Sequence, residues 1–315
     1  MGTSSRRAVL LGLAGLLLAP PALPATDRTP LPAASECRPG VQAPDWPAQK
    51  GVLFQVTAPN GQASRLFGTL HFGSLAELGL SAAALRQTLG EARILVNEVD
   101  GAAPADPALD RQRLLDDGLS LPSLIGARAF VELARRLPGI APAQLQTLRP
   151  WLALALLESR GEPVSAETLD HRIEQLAREQ GLATQPLETA ADQLAALNCV
   201  SSWDQAVVLR QRLRQPDFFA EQAARVLDWY RARDLPAWLA EVDAMRGLDA
   251  QGAEIEQRAR VCLLESRNQR WMARLEPALQ AGGAFVAVGG LHLAGDEGLL
   301  ARLCRRGYLI TAEPY

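Results

Sequence analysis

The sequence predicts an α/β (α+β) fold. We expect a central mixed sheet formed by the N- and C-terminal parts of one domain, with a large helical insertion between them. Short apolar, β-branched runs concentrate in residues 51–99 and 284–312. Between about residues 107 and 275, apolar residues recur at three- and four-residue spacing, which is typical of amphipathic helices. Strands at both ends that are joined by helices indicate a layered α/β structure.

The first 25 residues have the features of a secretory signal peptide. Arg6 and Arg7 precede an apolar run over residues 8–19, and prolines and small residues follow as far as Ala25. The run is shorter than the roughly 20 residues that a membrane-spanning helix needs. We therefore expect a periplasmic or secreted protein without a membrane span in its mature chain. The paired arginines leave both the twin-arginine and the general secretory routes open.

A Pro-rich, polar stretch over residues 26–50 indicates a linker or irregular arm ahead of one domain over residues 51–315. The formal net charge is −3, and it becomes −5 without the signal peptide, which holds two arginines and no acidic residue. Such a chain offers no strongly basic surface, so we expect no nucleic-acid partner.

All four cysteines follow the predicted signal peptide. An even number of cysteines in an oxidising compartment favours two disulfides, and three pairings are possible. We favour Cys199–Cys262, because both residues lie in the helical middle, together with Cys37–Cys304, which joins the two ends.

The N-terminal part of the domain has the pattern β-β-α-β. Asn60-Gly61 separates two apolar runs, which is a strong hairpin signal, and Ser81 is a residue type that caps helix N-termini. The third strand is apolar and ends at a carboxylate, Glu98. The expected elements are strands over residues 51–57 and 64–70, a helix over 82–91 and a strand over 93–99.

Proline residues divide the middle of the chain into helices of ordinary length. We expect helices over residues 127–137, 151–157, 169–177, 218–227 and 255–264, with one strand near 184–187. The C-terminal part returns to strands. Its expected elements are a strand over 284–288, a helix over 297–305 that Gly307 stops, and a strand over 308–312.

Two of the three histidines lie in nearly the same local sequence. His71 ends Gly68-Thr69-Leu70-His71, and His292 ends Gly289-Gly290-Leu291-His292. Each motif follows an apolar strand. Ligands gather at the carboxyl ends of parallel strands, and glycine lets the backbone approach them closely. We interpret the two motifs as a structural pseudo-repeat that forms one functional site from two equivalent strand ends.

Glu98, near the end of a third buried strand, is expected to face the same crevice. A carboxylate there is costly unless it meets a cation or hydrogen-bond donors. Two histidines and one carboxylate are a recurrent set of ligands for a divalent metal. The same trio also suits general acid and base catalysis without a metal.

The third histidine, His171, lacks this context and is expected to be a solvent or packing residue. Its neighbour Asp170 begins a helical stretch. Asp170 is expected either to stabilise the helix start or to hold one of the site's side chains from behind.

Several motifs resemble the TraB/GumN family, in order from about residue 51 to 315. The family is similar to the TIKI metalloproteases and, more remotely, to the erythromycin-esterase and ChaN-like proteins. The motifs are Gly68-Thr69-Leu70-His71, Asn97-Glu98-Val99-Asp100, Arg149-Pro150-Trp151, Leu187-Glu188-Thr189, Arg267-Asn268-Gln269-Arg270-Trp271 and Phe285-Val286-Ala287-Val288-Gly289-Gly290-Leu291-His292-Leu293. Pro186 and the Gly289-Gly290 pair depart from the family's usual residues.

The resemblance implies an erythromycin-esterase/ChaN-like fold and a metal-dependent hydrolase, peptidase-like by analogy with TIKI. His71 and His292 would bind Mn, Co or Zn, and Glu98 would be a third ligand or the base. A water activated by the metal would attack a peptide or a small amide or ester.

The resemblance also implies roles for two further residues. Arg267 is expected to stabilise an oxyanion or a substrate carboxylate, or to form a structural ion pair. Glu188 is expected to orient a ligand, to serve as base, or to cap the next helix.

Two alternatives without catalysis stay open. The ChaN-like relationship suggests a periplasmic protein that binds haem, a metal or another ligand. The TraB and GumN names suggest an accessory factor for conjugation or surface polysaccharide.

Overall fold

A six-stranded mixed sheet organises the protein, as the sequence predicts. The computed structural model describes residues 50–101, 103–104, 106–161 and 168–315. The predicted signal peptide and residues 26–49 of the Pro-rich arm lie outside them. The strands are β1 (Leu53–Thr57), β2 (Ala63–Thr69), β3 (Ile94–Asn97), β4 (Ala183–Pro186), β5 (Ala284–Gly289) and β6 (Leu309–Glu313).

The strand order is β4-β3-β5-β2-β1-β6, and the first four strands are mutually parallel. β1 is antiparallel to both of its neighbours. The two ends of the chain therefore supply five strands, and β4 alone comes from the helical middle. A turn joins β1 to β2 and has Asn60-Gly61 as its last two residues. The Gly61 amide donates to the Ala58 carbonyl over 2.8 Å.

Helices cover most of the remaining described residues. They are α1 (Ala82–Gly90), α2 (Pro107–Arg111), α3 (Leu121–Ile125), α4 (Ala127–Arg136), α5 (Pro142–Leu145), α6 (Pro150–Glu158), α7 (Leu169–Glu179), α8 (Ala190–Leu197), α9 (Ser202–Leu213), α10 (Phe218–Arg231), α11 (Leu235–Asp243), α12 (Ala250–Arg260), α13 (Ser266–Ala281) and α14 (Leu299–Cys304). Within this part of the chain, no helix combines the length and the apolar character that crossing a membrane requires.

Two main hydrophobic clusters hold these elements together. One surrounds the sheet and includes Phe67, Leu95 and Val286, all fully buried. The other lies within the helical insertion, around Leu121 and Leu209. The insertion therefore buries apolar surface of its own as well as covering the sheet, and burial of this kind is the main stabilising term in folding.

The helical insertion extends beyond its expected end near residue 275, because α13 continues through Pro277 to Ala281. Trp271, Leu275 and Leu279 are fully buried along it. This packing offsets the cost of one proline inside the helix, which is about 3 kcal/mol.

Helices α12 and α13 are joined by a π-helical segment, Val261–Glu265. Cys262 in this segment forms a disulfide with Cys199, which follows α8, so the favoured pairing of these two cysteines is confirmed. The second expected pair includes Cys37, which lies outside the described residues.

Replacing Cys199 and Cys262 together by alanine should lower the free energy of unfolding by about 2–4 kcal/mol. The bond joins residues 63 positions apart, and its loss restores conformational entropy to the unfolded chain. Urea unfolding of the oxidised wild type and of the double variant measures the difference. A loss below about 1 kcal/mol would contradict a structural role for the bond.

Candidate functional site

Each of the four parallel strands is followed, at the same edge of the sheet, by a polar side chain. His71 lies just beyond β2, Glu98 beyond β3, Glu188 beyond β4, and His292 beyond β5. This is the edge at which ligands bind in open α/β sheets. The topology therefore brings together four residues that are far apart in the sequence.

Gly289 is the point on which three of these side chains converge. A Cβ atom at this position would lie 3.2 Å from His71 Nε2, 3.3 Å from Glu98 Oε1 and 3.5 Å from His292 Cδ2. The distance from His292 Nε2 to Glu98 Oε1 is 3.9 Å. A larger residue would fill the space between the two imidazoles and the carboxylate, so glycine is needed here for close approach.

His71 stands at the solvent side of this space, and 64% of its side chain is exposed. Its Nδ1 lies 2.9 Å from Asp170 Oδ2, and Thr69 Oγ1 donates to the other carboxylate oxygen over 2.6 Å. Asp170 raises the pKa of His71 to about 9, and Glu98 adds to the effect. Burial favours the neutral form of the Asp170 carboxyl, but His71 and Thr69 lower its pKa overall. The imidazole ring is thus oriented so that Nε2 faces Gly289.

His292 is buried, and its ring is held by Asn268 on α13. Asn268 Nδ2 donates to the carbonyls of His292 and Glu297, which directs its Oδ1 toward His292 Nδ1 at 2.7 Å. His292 Nδ1 therefore carries the proton, and Nε2 is an acceptor. Burial, with Arg267 and His71, lowers the pKa of His292 to about 3. The ring is neutral at physiological pH.

Glu98 is a buried carboxylate with two strong donors. Its Oε1 accepts the Gly289 amide at 2.7 Å, and its Oε2 accepts Arg267 Nη2 at 2.6 Å. Burial by itself raises the pKa of Glu98. Arg267 and the two histidines outweigh that effect and lower the pKa to about 2. Glu98 is therefore ionised.

Arg267, whose side chain is 7% exposed, uses all five of its N–H groups. Nε and Nη2 both donate to Glu188 Oε1, at 2.9 and 2.6 Å, and Nη2 also reaches Glu98. Nη1 lies 3.2 Å from the Leu263 carbonyl and 3.1 Å from His292 Nε2. In this arrangement Arg267 is a buried ion-pair centre, with no donor left over for a substrate.

Glu188 is also fully engaged. Its second oxygen accepts Trp271 Nε1 at 2.9 Å, and the Trp271 ring packs against both His292 and the Arg267 guanidinium. Thr189, and not Glu188, caps helix α8. Helix capping by Glu188 was therefore wrong, and the contacts of Glu188 hold the Arg267 guanidinium in place.

The side chains present suit a divalent metal in their chemistry. Histidines that bind metals through Nε2 have Nδ1 held by a carboxylate or amide oxygen, as both are here. Ligands bound about 2.0–2.2 Å from one metal lie roughly 3–4 Å apart, close to the 3.9 Å between His292 and Glu98. Among the described residues, however, no three His, Cys, Asp or Glu side chains are already set at metal-binding distances. Arg267 lies against two of the three candidate ligands.

The family model for TraB/PrgY/gumN matches residues 52–312. The chain belongs to the TraB/PrgY/gumN family. This match spans β1 to β5, β6 as far as residue 312, and every residue of the candidate site, and it confirms the resemblance seen in the sequence. Comparison with curated proteins and with solved structures gives no match. The more remote likeness to erythromycin-esterase and ChaN-like proteins therefore stays a prediction.

Another of the motifs behind the resemblance serves the fold. In Arg149-Pro150-Trp151, the tryptophan indole donates to Asn198 Oδ1 at 2.9 Å and Arg149 contacts Ser202 and Asp116. These contacts join helices of the insertion.

The pseudo-repeat of the two histidine motifs is only partial in the structure. Strand register pairs Thr69 with Gly289, so the two motifs are offset by one residue. The second motif closes into a 3₁₀ turn, Gly290–His292, which buries its histidine. The two strand ends are neighbours, but they present one exposed and one buried imidazole.

Three residues that hold the site together could not be assigned to it from the sequence. The sequence left two roles open for Asp170, at the helix start or behind a site residue, and it gave Asn268 and Trp271 no role beyond membership of one motif. The signal for Asp170 was its place in the first turn of α7. Trp271 lies four residues after Arg267 and three after Asn268, and these spacings put side chains on neighbouring positions of a helix surface.

In protein freed of metal by a chelator, we expect the His71 pKa to be about 9 and to fall toward about 6.5 in Asp170→Asn. The raised pKa means that the charged ring stabilises the fold below about pH 6.5, and that this contribution is lost as the pH rises through 9. NMR titration of the imidazole protons measures both values. A wild-type pKa at or below about 6.5 would contradict the contact.

Proposed function

We propose that this protein is an exported, metal-dependent hydrolase that acts on peptides or on small amides or esters in the periplasm. One observation carries the proposal. His71 and His292 each have Nδ1 held from behind, and the free edges of both rings meet Glu98 around Gly289. Two imidazoles and one carboxylate that leave further positions open are a ligand set of catalytic metals.

The charge of the site supports a divalent cation. Glu98, Glu188 and Asp170 carry three negative charges, and Arg267 supplies one positive charge. With neutral histidines, two negative charges are left over, which a divalent cation would balance. Without a cation, the proton on His71 takes up part of this excess, since Asp170 and, to a smaller extent, Glu98 raise the pKa of His71.

A metal bound there would lower the pKa of a water and polarise a carbonyl oxygen. The protein's own residues orient the ligands. Asp170 fixes the His71 ring, and Asn268 fixes the tautomer of His292. The low pKa of Glu98 suits a ligand better than a general base, since a useful base has a pKa near the working pH.

Arg267 links ligand binding to substrate binding. Its Nη1 now lies 3.1 Å from His292 Nε2. If that nitrogen bound a metal, the Arg267 N–H would lose its acceptor and would be free to hold a carbonyl oxyanion, as an oxyanion-hole donor does. Glu188 would keep the guanidinium in place.

Metal analysis of the purified mature protein tests the ligand assignment. We expect bound Mn, Co or Zn in the wild type, and at least about a tenfold loss of retained metal in His71→Ala, His292→Ala and Glu98→Gln. Inductively coupled plasma mass spectrometry on protein made without a histidine tag gives the metal content per chain.

His171→Ala is the matched control, because this histidine pairs with Thr168 Oγ1 at 3.2 Å and is not part of the trio. It should retain metal like the wild type. Full retention of metal in both His71→Ala and His292→Ala would overturn the metal site.

Hydrolysis itself is tested with a library of internally quenched peptides and with p-nitrophenyl acetate as an ester probe. We expect turnover that a chelator abolishes and that Glu98→Gln lowers by at least about 100-fold. Metal retention with no turnover in either assay would instead favour a binding protein. Absorbance during haem titration then distinguishes a protein that binds haem from one that binds only a metal ion.

A further inference from the structure

A mainly apolar cavity of about 260 Å³ lies between the helical insertion and the two histidine turns. Two of its walls are chain neighbours of the candidate ligands, since Phe72 follows His71 and Leu291 precedes His292. The other apolar walls come from the helices and the π-helical segment. They include Phe218, Val226, Trp238 and Leu263.

The cavity adjoins the histidine–glutamate site through one turn of the backbone. Gly289 faces the three candidate ligands, whereas a Cβ on the next residue, Gly290, would lie 3.1 Å from Trp238 Cζ3 and 2.9 Å from Leu235 Cδ2. The absence of a side chain at Gly289 leaves room for the candidate ligands, and its absence at Gly290 leaves room for Trp238 at the cavity. The Leu263 carbonyl, which accepts Arg267 Nη1, links them again on the other side.

The charged residues around the cavity compensate one another. Arg212 lies 3.0 Å from Glu158 and 3.1 Å from Glu256. Arg246 pairs with Glu241.

The third guanidinium of the lining, Arg260, lies 2.7 Å from both Asp243 and Glu265. Among the described lining residues, each guanidinium is thus matched by at least one carboxylate. Such a cavity favours an uncharged, apolar group over an ionic one.

The size indicates what part of a ligand it holds. Pockets for whole drug-sized molecules measure roughly 300–1,000 Å³, and this one is slightly smaller. It suits one large side chain, while the remainder of the ligand extends over the neighbouring histidines.

We propose that this cavity is a specificity subsite, which binds a large apolar side chain, aromatic or branched, next to the bond that the protein cleaves. The inference rests on the proposed hydrolytic function for its catalytic part. The cavity itself is open to a binding test that needs no turnover.

Binding is tested on the full mature protein with N-acetyl-L-phenylalaninamide, and with the alanine and aspartate analogues for comparison. The probe is the NMR signal of the Trp238 indole N–H, which Trp238→Phe identifies. We expect the phenylalanine compound to shift this signal at concentrations at least about tenfold lower than the other two, because burial of the extra apolar surface favours it.

Ala259→Phe places a ring in the cavity from α12, and it should abolish the shift. Ala253→Phe is the matched control, since it makes the same change on the same helix at a position outside the lining, and it should bind like the wild type. If Ala259→Phe does not fold, Leu263→Ala replaces it and should weaken binding of the phenylalanine compound by at least about fivefold.

The catalytic part is tested with peptides that differ only in the side chain beside the cleaved bond. We expect kcat/KM for a phenylalanine peptide to exceed that for a glycine peptide by about 10- to 100-fold. Ala259→Phe should remove most of that preference and leave the glycine peptide nearly unaffected.

The outcomes separate the two proposals. Turnover with no such preference, or with a preference that Ala259→Phe leaves intact, would overturn the subsite and leave the hydrolase standing. Selective binding that Ala259→Phe abolishes, without any turnover, would support the cavity and count against the hydrolase. An indole signal that responds equally to all three amides, or to none, would overturn the subsite.

Discussion

The guanidinium of Arg267, buried at one edge of the sheet, joins groups that arrive on three different strands. It binds Glu98 after β3, Glu188 after β4 and His292 after β5. Burying an ionic group costs several kcal/mol unless excellent geometry and further hydrogen bonds compensate it. Arg267 meets that requirement with all five N–H groups. Removing any one of these partners would leave a buried charged or polar group of the others without its hydrogen bond. The residues therefore depend on one another.

The two histidines differ in a way that their similar motifs conceal. His71 is largely exposed and its pKa is raised, whereas His292 is buried and its pKa is lowered. In the proposed metal site, His292 would give a fixed, neutral nitrogen. His71 would have to release a proton before it binds, and metal affinity would therefore rise with pH toward the pKa of His71.

Much of the fold was predictable because it depends on local pattern. The alternation and length of apolar runs predicted β1, β2, β3, β5 and β6, and three- and four-residue spacing predicted the helical insertion. The helical insertion was expected to end at about residue 275, but α13 runs on to Ala281 because buried packing of Trp271 and Leu275 offsets a single proline. Propensity carries no knowledge of such tertiary contacts.

The site was predictable where a strand end supplied the residue. His71, Glu98 and His292 each follow an apolar run, and parallel strands bring such ends together. Asp170 and Asn268 come from helices, and sequence spacing does not tell which strand end a helix will cover. The hydrogen bonds of all five Arg267 N–H groups could not be predicted either, because they depend on the positions of Glu188 and the Leu263 carbonyl in space.

The number of residues in the π-helical segment Val261–Glu265 is itself constrained by the structure. Its Cys262 is bonded to Cys199, and α13 is packed against the sheet, so neither side of the segment is free to rotate. Each residue of an α-helix turns the chain by about 100°. Deleting one residue here would convert the π-helical turn to an α-helical turn. The rotation would direct the Arg267 side chain away from Glu98. Apart from Cys262, related chains should therefore tolerate substitutions in this segment far more readily than insertions or deletions.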